Sequence, residues 1–221
     1  MARTDATAAQ PGLRERKKMR TRELIAETAR RLFTERGFAR VTVAEVAEAA
    51  DVSQQTVFNY FPTKEDLVFW RLEAFEEELL SSIRDRPAGA SALDAFGEFV
   101  RRPRGLLAQR DPEARERLAA LTRMIIESPA LLAREQQIFA GYTASLAALL
   151  ADEEGAPAAD VTPWIVANAM MGVHRALIDY SRRRIAEGAT HPRLHREVLA
   201  QADAALGRLE RGLGAYAVKP G

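Results

Sequence analysis

Residues 42–64 read TVAEVAEAADVSQQTVFNYFPTK, and the fold turns on that stretch. Thr42 with Glu45 three positions later is the reciprocal capping pattern that starts a helix. Val43, Val46, Ala47 and Ala50 then recur at helical spacing. Asp51-Val52 interrupts the period, and Ser53 offers a second cap. Val57 and Phe61 supply the inward face of the next helix. Pro62 stops it, because proline cannot extend a helix and biases the residue before it to extended backbone. Thr63 with Asp66 repeats the capping pattern and predicts a fourth helix from Lys64 to about Arg86. Two short helices joined by a tight turn predict a helix-turn-helix, in which the second helix enters a DNA major groove.

The part of that second helix not needed for a core carries Ser53, Gln54, Gln55, Thr56, Phe58, Asn59 and Tyr60. It holds amides, hydroxyls and aromatic rings, and no acid. Gln and Asn pair bidentately with adenine, a Thr methyl meets a thymine methyl, and Tyr reaches phosphate. A merely solvated helix face is usually built from Glu and Lys instead. Ahead of the motif, Arg14, Arg16, Lys17, Lys18, Arg20 and Arg22 form a basic run in which Glu15 is the one opposing charge. Its position predicts contact with the DNA backbone or a minor groove. A first helix then runs to Arg36, with Leu24, Ile25, Ala29, Leu32 and Phe33 as its inner stripe and Gly37 as its cap. Lys64, beside the second helix of the motif, is expected to clamp phosphate.

The segment resembles the DNA-binding domain of TetR-family transcriptional regulators. The matching residues are Leu32-Phe33, Gly37-Phe38, Thr42-Val43, Val46-Ala47, Ala50, Val52-Ser53, Thr56, Tyr60-Phe61 and Lys64-Glu65-Asp66-Leu67. They agree in register over roughly residues 16–70. Two positions depart. The family usually has Gly where Asp51 stands, and Asp tolerates the left-handed backbone better than most residues. The family usually has Tyr where Phe58 stands, so a hydroxyl that could reach phosphate is gone. The resemblance implies that Thr42 and Val43 join the DNA-facing set. It also implies a repressor that grips palindromic double-stranded DNA as a homodimer and is released by a small molecule.

The chain has 221 residues, enough for one small domain and one larger one. The boundaries read as a disordered tail over 1–13, the helix-turn-helix domain over 14–64 and a helical domain over 65–221. Cysteine is absent, which excludes disulfides, cysteine-bound zinc and a thiol nucleophile. No apolar run is long enough to span a bilayer and no signal-peptide pattern appears, so a cytoplasmic protein without a membrane partner is expected. The net charge of +1 is unevenly placed: residues 1–64 hold 12 Lys+Arg against 8 Asp+Glu, and the remainder 20 against 23. The positive end carries the reading motif, as phosphate binding requires.

Beyond Pro87-Ala-Gly89 the text is helical throughout, with Ala, Leu, Arg and Glu dominant. Asp111-Pro112, Ser128-Pro129, Thr162-Pro163 and His191-Pro192 read as caps followed by proline in the first turn. The predicted helices are about 90–101, a short one near 103–109, 112–126, 129–150, 163–187 and 192–216, with an acidic loop over 151–161. The fold class is therefore all-α, with about nine to ten helices. Leu199, Ala202, Leu206, Leu209, Leu213 and Tyr216 follow a heptad spacing. Helix 163–187 is apolar on most faces, and Val166, Met170, Val173 and Leu177 give it a second face to bury. Together these predict a two-fold, four-helix dimer interface.

TetR-like regulators usually bind a small molecule in this second domain. The candidate pocket residues are Phe96, Phe99, Met124, Ile125, Phe139, Tyr142, Trp164 and Met171, with the polar group Asn168, His174 and Arg175. Asp179, one turn after Arg175, could pair with it. The stretch WIVANAMMGVHRALIDY over 164–180 also resembles family members that take acyl-CoA-like or fatty molecules. No cofactor and no metal is expected. Two other classes make different demands on the sequence. A metal-dependent enzyme would have to build on His191 and His195, which lack a third ligand, and no phosphate loop or nucleophile motif appears. A helical adaptor without a DNA role leaves the 53–60 face and the basic N-terminus unexplained.

Overall fold

In the computed structural model, Ile25, Ala26, Thr28, Ala29, Leu32 and Phe33 share the buried side of α1 (Leu13–Arg36). The residues described are 12–102, 112–189, 191–213 and 218; of the predicted tail over 1–13, residues 1–11 lie outside them and Leu13 already opens α1, and the short helix near 103–109 also lies outside. The chain divides into two units at Trp70/Arg71, six residues beyond the expected boundary at Lys64. Leu24 was expected in the inner stripe of α1 but is 53% exposed. Ala26 and Thr28 take its place, since the buried arc centres one residue later. α1 closes at Gly37, whose φ of 84° is open to glycine and whose N–H donates to the Phe33 carbonyl at 2.9 Å.

A 3-10 turn over Phe38–Arg40 sets the Phe38 ring edge-on to Phe33 at 5.1 Å and leads into α2 (Val43–Ala49). The capping box forms as expected: Glu45 N–H donates to Thr42 Oγ1 at 3.2 Å, and Thr42 N–H to Glu45 Oε2 at 2.7 Å. Asp51 takes the left-handed backbone at φ 53°. Ser53 caps α3 (Gln54–Tyr60), and Phe61 turns extended ahead of Pro62.

The fourth helix does not begin at Lys64. The Thr63–Asp66 box closes, with Thr63 N–H donating to Asp66 Oδ2 at 2.9 Å, but heads only a 3-10 turn over Glu65–Leu67. α4 starts afterwards (Leu72–Arg84). Leu67 and Phe69 are both buried, and residues two apart on a straight helix point to nearly opposite sides. The break lets both be buried.

The second unit continues with α5 (Ala92–Arg101), α6 (Pro112–Glu127), α7 (Pro129–Glu154), α8 (Thr162–Ala186) and α9 (His191–Leu213). Among the described residues this completes nine α-helices without a strand. α7 packs on α8, α8 on α9, and α5 against both α4 and α9. Their shared core includes Leu79, Ile83, Phe96, Phe139, Leu146 and Met170. α7 runs four residues past its expected end. Arg86, almost wholly buried, binds Glu153 at 2.7 Å and so holds the acidic end in helical register. Gly155 then caps α7 in the left-handed region.

Much of the heptad seam, expected between subunits, is already covered within one protomer. Ala202 and Leu206 on α9, and Val166, Met170 and Leu177 on α8, are at most 7% exposed within one protomer. Leu206 lies on Gly97 of α5, so closely that a β-carbon there would stand 3.4 Å from its Cδ1. Val173, Leu199 and Leu209 are half-buried; Val173 and Leu209 pack on the same core. α5 packs on α9 at that part of the seam. The side chain of Leu213 and all of Tyr216 lie outside the described residues.

Candidate nucleic-acid interface

Val57 is wholly buried and decides which way α3 faces. At about 100° per residue, Gln55 and Asn59 stand opposite it, forming a crest. Gln54 and Phe58 occupy one flank, and Ser53, Thr56 and Tyr60 the other. Exposure agrees: Ser53, Gln54, Gln55, Phe58 and Asn59 are exposed, while Thr56 and Tyr60 are half-buried. Within the crest, Gln55 Nε2 donates to Asn59 Oδ1 at 3.1 Å. That leaves Gln55 Oε1, both Asn59 amide hydrogens and a second lone pair on Asn59 Oδ1 for a base edge. On the hydroxyl flank, Ser53 Oγ and Thr56 Oγ1 share a hydrogen bond of 2.8 Å. The capping hydroxyl is therefore held in place as well as exposed.

The basic run starts on α1 itself. Arg16, Lys17 and Lys18 are exposed on its first turns, with Lys18 Nζ 4.0 Å from Glu15. Arg22 sits deeper, with its guanidinium carbon 5.4 Å from the centroid of the Phe61 ring, which places a cation at the C-terminal end of α3. Reading residues 14–22 as one charge run could not single it out, because the ring that seats it is 39 positions away.

Thr42 spends its hydroxyl on the α2 cap, and Val43 is half-buried behind it. Glu45 accepts from the Thr42 backbone N–H, from Arg36 and from the Thr42 hydroxyl, which together hold its carboxyl at about 2, from an ordinary 4.5.

Lys64, expected as a phosphate clamp, is turned inward. Its Nζ donates to the Phe38 carbonyl at 2.5 Å and stands 4.2 Å from the Phe38 ring centroid. Partial burial lowers its affinity for the proton, with Glu65 opposing that shift. The carbonyl at the start of the 3-10 turn needs a donor, and Lys64 is within reach of it.

The expected pocket residues split. Phe96, Phe99, Ile125, Phe139, Tyr142 and Met171 are buried, and Met124 is half-buried. Trp164 is 50% exposed, and exposed Asn168 donates to the Trp164 carbonyl at 2.7 Å. Both stand on the exposed side of α8, although Ala167, one turn on from Trp164, is wholly buried. His174 is half-buried and stacks on Phe75 with centroids 4.7 Å apart, and meets Phe139 edge-on at 5.8 Å. Phe75 in turn contacts Phe99 and Tyr142. Phe75 is not among the residues that the sequence pattern offers for a pocket. Arg175 is exposed with its guanidinium 6.0 Å from the Phe139 centroid, while Asp179 approaches Arg182 instead. Arg182 forms a largely buried pair with Glu135 of α7. The side chain of His191 lies outside the described residues. Among those residues no helix is long and apolar enough to cross a membrane.

Residues 25–69 match the family model described as bacterial regulatory proteins, tetR family. Residues 91–213 match that of the MftR C-terminal domain. The chain is 32% identical over 154 residues to the HTH-type transcriptional regulator TcmR of Streptomyces glaucescens, covering 69% of this chain and 68% of that one. Among solved structures it resembles Salmonella enterica GusR, with TM-score 0.52 at 22% identity over 89% of this chain and 97% of that one. It also resembles NalD of Pseudomonas aeruginosa, with TM-score 0.54 at 19% identity over 86% and 96%. At those identities the two structures speak for the fold alone.

Proposed function

The chain belongs to the TetR family of bacterial transcriptional regulators, and from that premise we propose that it is a repressor whose homodimer grips a palindromic operator and lets go when a small molecule binds its helical unit. Sequence-specific DNA binding comes with the family. The observation that carries the reading of this chain is the Gln55–Asn59 crest, two bonded amides standing opposite the one buried residue of α3. Amides in that position suit adenine edges in a major groove. The hydroxyl flank and the basic turns of α1 suit phosphate.

Support for the dimer comes from α8. Ile165, Asn168, Gly172 and Ala176 fall on one outward stripe, with Trp164 beside it. Ile165 is 59% exposed, and small residues on the stripe allow a close helix approach. Two heads about 34 Å apart would meet successive major grooves of a two-fold site.

The effector is a small hydrophobic or acyl-type molecule, and the group around His174, Phe75, Phe139 and Tyr142 is its seat. Phe75 belongs to the first turns of α4, and Tyr142 donates to the Leu72 carbonyl. Those turns follow directly in the chain from the DNA-binding unit, so a ligand that rearranges the cluster pulls on the connection. Only a ligand with unequal affinity for the two spacings of the heads would shift the balance. Run-off transcription tests the sign. A template with a selected binding duplex across its promoter should lose transcript as protein is added; an unchanged or increased yield would overturn repression.

A further inference from the structure

Among the described residues of α3, Phe58 is the one large apolar side chain left exposed, at 39%. It is not a core residue in waiting. The neighbouring Val57 is wholly buried, and position 58 lies about a quarter-turn round the helix from it, over the flank it shares with Gln54. Phe58 is next in sequence to Asn59, one half of the amide crest. A benzyl ring has no donor or acceptor, so it cannot bond a phosphate oxygen or a base heteroatom. The apolar group that the major groove offers is the C5-methyl of thymine.

We propose that Phe58 is a specificity-determining residue that reads the methyl of a thymine beside the base pair engaged by Asn59. The inference rests on α3 entering the major groove, and it adds a requirement that amide chemistry alone would not impose. The two flanks then do different work. The Ser53, Thr56 and Tyr60 side holds the backbone through hydroxyls, and the Phe58 side carries sequence information.

The test uses the full-length protein and a duplex selected from a random pool. The base pair whose identity changes in the selection by Asn59→Ala locates the neighbouring position. Replacing thymine there by deoxyuridine removes only the methyl. Affinity should fall about fourfold per half-site, the worth of roughly one buried methyl. Phe58→Ala should bind the thymine and deoxyuridine duplexes equally, and Phe58→Tyr, which keeps the ring, should retain the preference. Equal binding of both duplexes by the unsubstituted protein would overturn the proposal. So would a deoxyuridine penalty that survives Phe58→Ala, since another group would then read the methyl. Selection of no motif at all by the unsubstituted protein is a different failure: it removes the reading on which this inference stands.

Discussion

Lys64 shows how a side chain expected at a phosphate can be engaged inside its own domain. Its ammonium bonds the Phe38 carbonyl and lies over the Phe38 ring, so Lys64→Ala removes a charged hydrogen bond and a cation–ring contact. A stability loss of about 1–2 kcal/mol is expected, read as a lower urea midpoint. An unchanged midpoint with weaker binding to every duplex alike would restore the phosphate-clamp role. Glu45 supplies a second residue-scale prediction. Its carboxyl lies at about 2 when folded against an ordinary 4.5, chiefly because the Thr42 N–H bonds the charged form, with Arg36 and the Thr42 hydroxyl adding to it. A depressed carboxylate contributes stability above its unfolded value and loses it as pH falls toward the folded one. Glu45→Gln should therefore melt below the unsubstituted protein at pH 6, and the gap should close between about pH 4.5 and 2. A gap constant across that range would mean the charge is irrelevant.

At the scale of the element, local signals were legible and partners were not. Thr42 with Glu45, Ser53, Asp51, Gly37 and Pro62 act within a turn of themselves, and the helices they bound formed where those residues dictate. Thr63 with Asp66 formed the same bonds but started only a 3-10 turn, because the burial of Leu67 and Phe69 outweighed the cap. On α9 the heptad spacing was real, yet periodicity says that a face is covered and not by what. Gly97 of α5 and Leu206 settle that contact inside one protomer. The aromatic group around His174 escaped for the same reason, since it joins α4, α7 and α8 across about a hundred residues. The correction carries a paired prediction. Leu206→Glu should unfold the helical unit, whereas Ile165→Glu should leave it folded and give monomers in sedimentation. Folded monomers from Leu206→Glu, or an undisturbed dimer from Ile165→Glu, would reverse the assignment.

For the whole molecule, the two units divide the labour along the chain: 12–70 carries the surplus of positive charge and the amide crest, and 71–213 carries the apolar mass. The DNA-binding unit was the more readable, because a short motif must fix its own turn and its own outward face. The helical unit is a packing solution among long helices, and its contacts depend on which ridges meet. Everything assigned to the molecule returns to the outward amides of α3. The most direct measurement is selection of bound duplexes from a random pool by the unsubstituted protein and by Asn59→Ala. The unsubstituted protein should enrich a two-fold symmetric motif, and Asn59→Ala should lose preference at one base pair in each half while keeping the rest. Enrichment of an identical motif by both proteins would contradict the account.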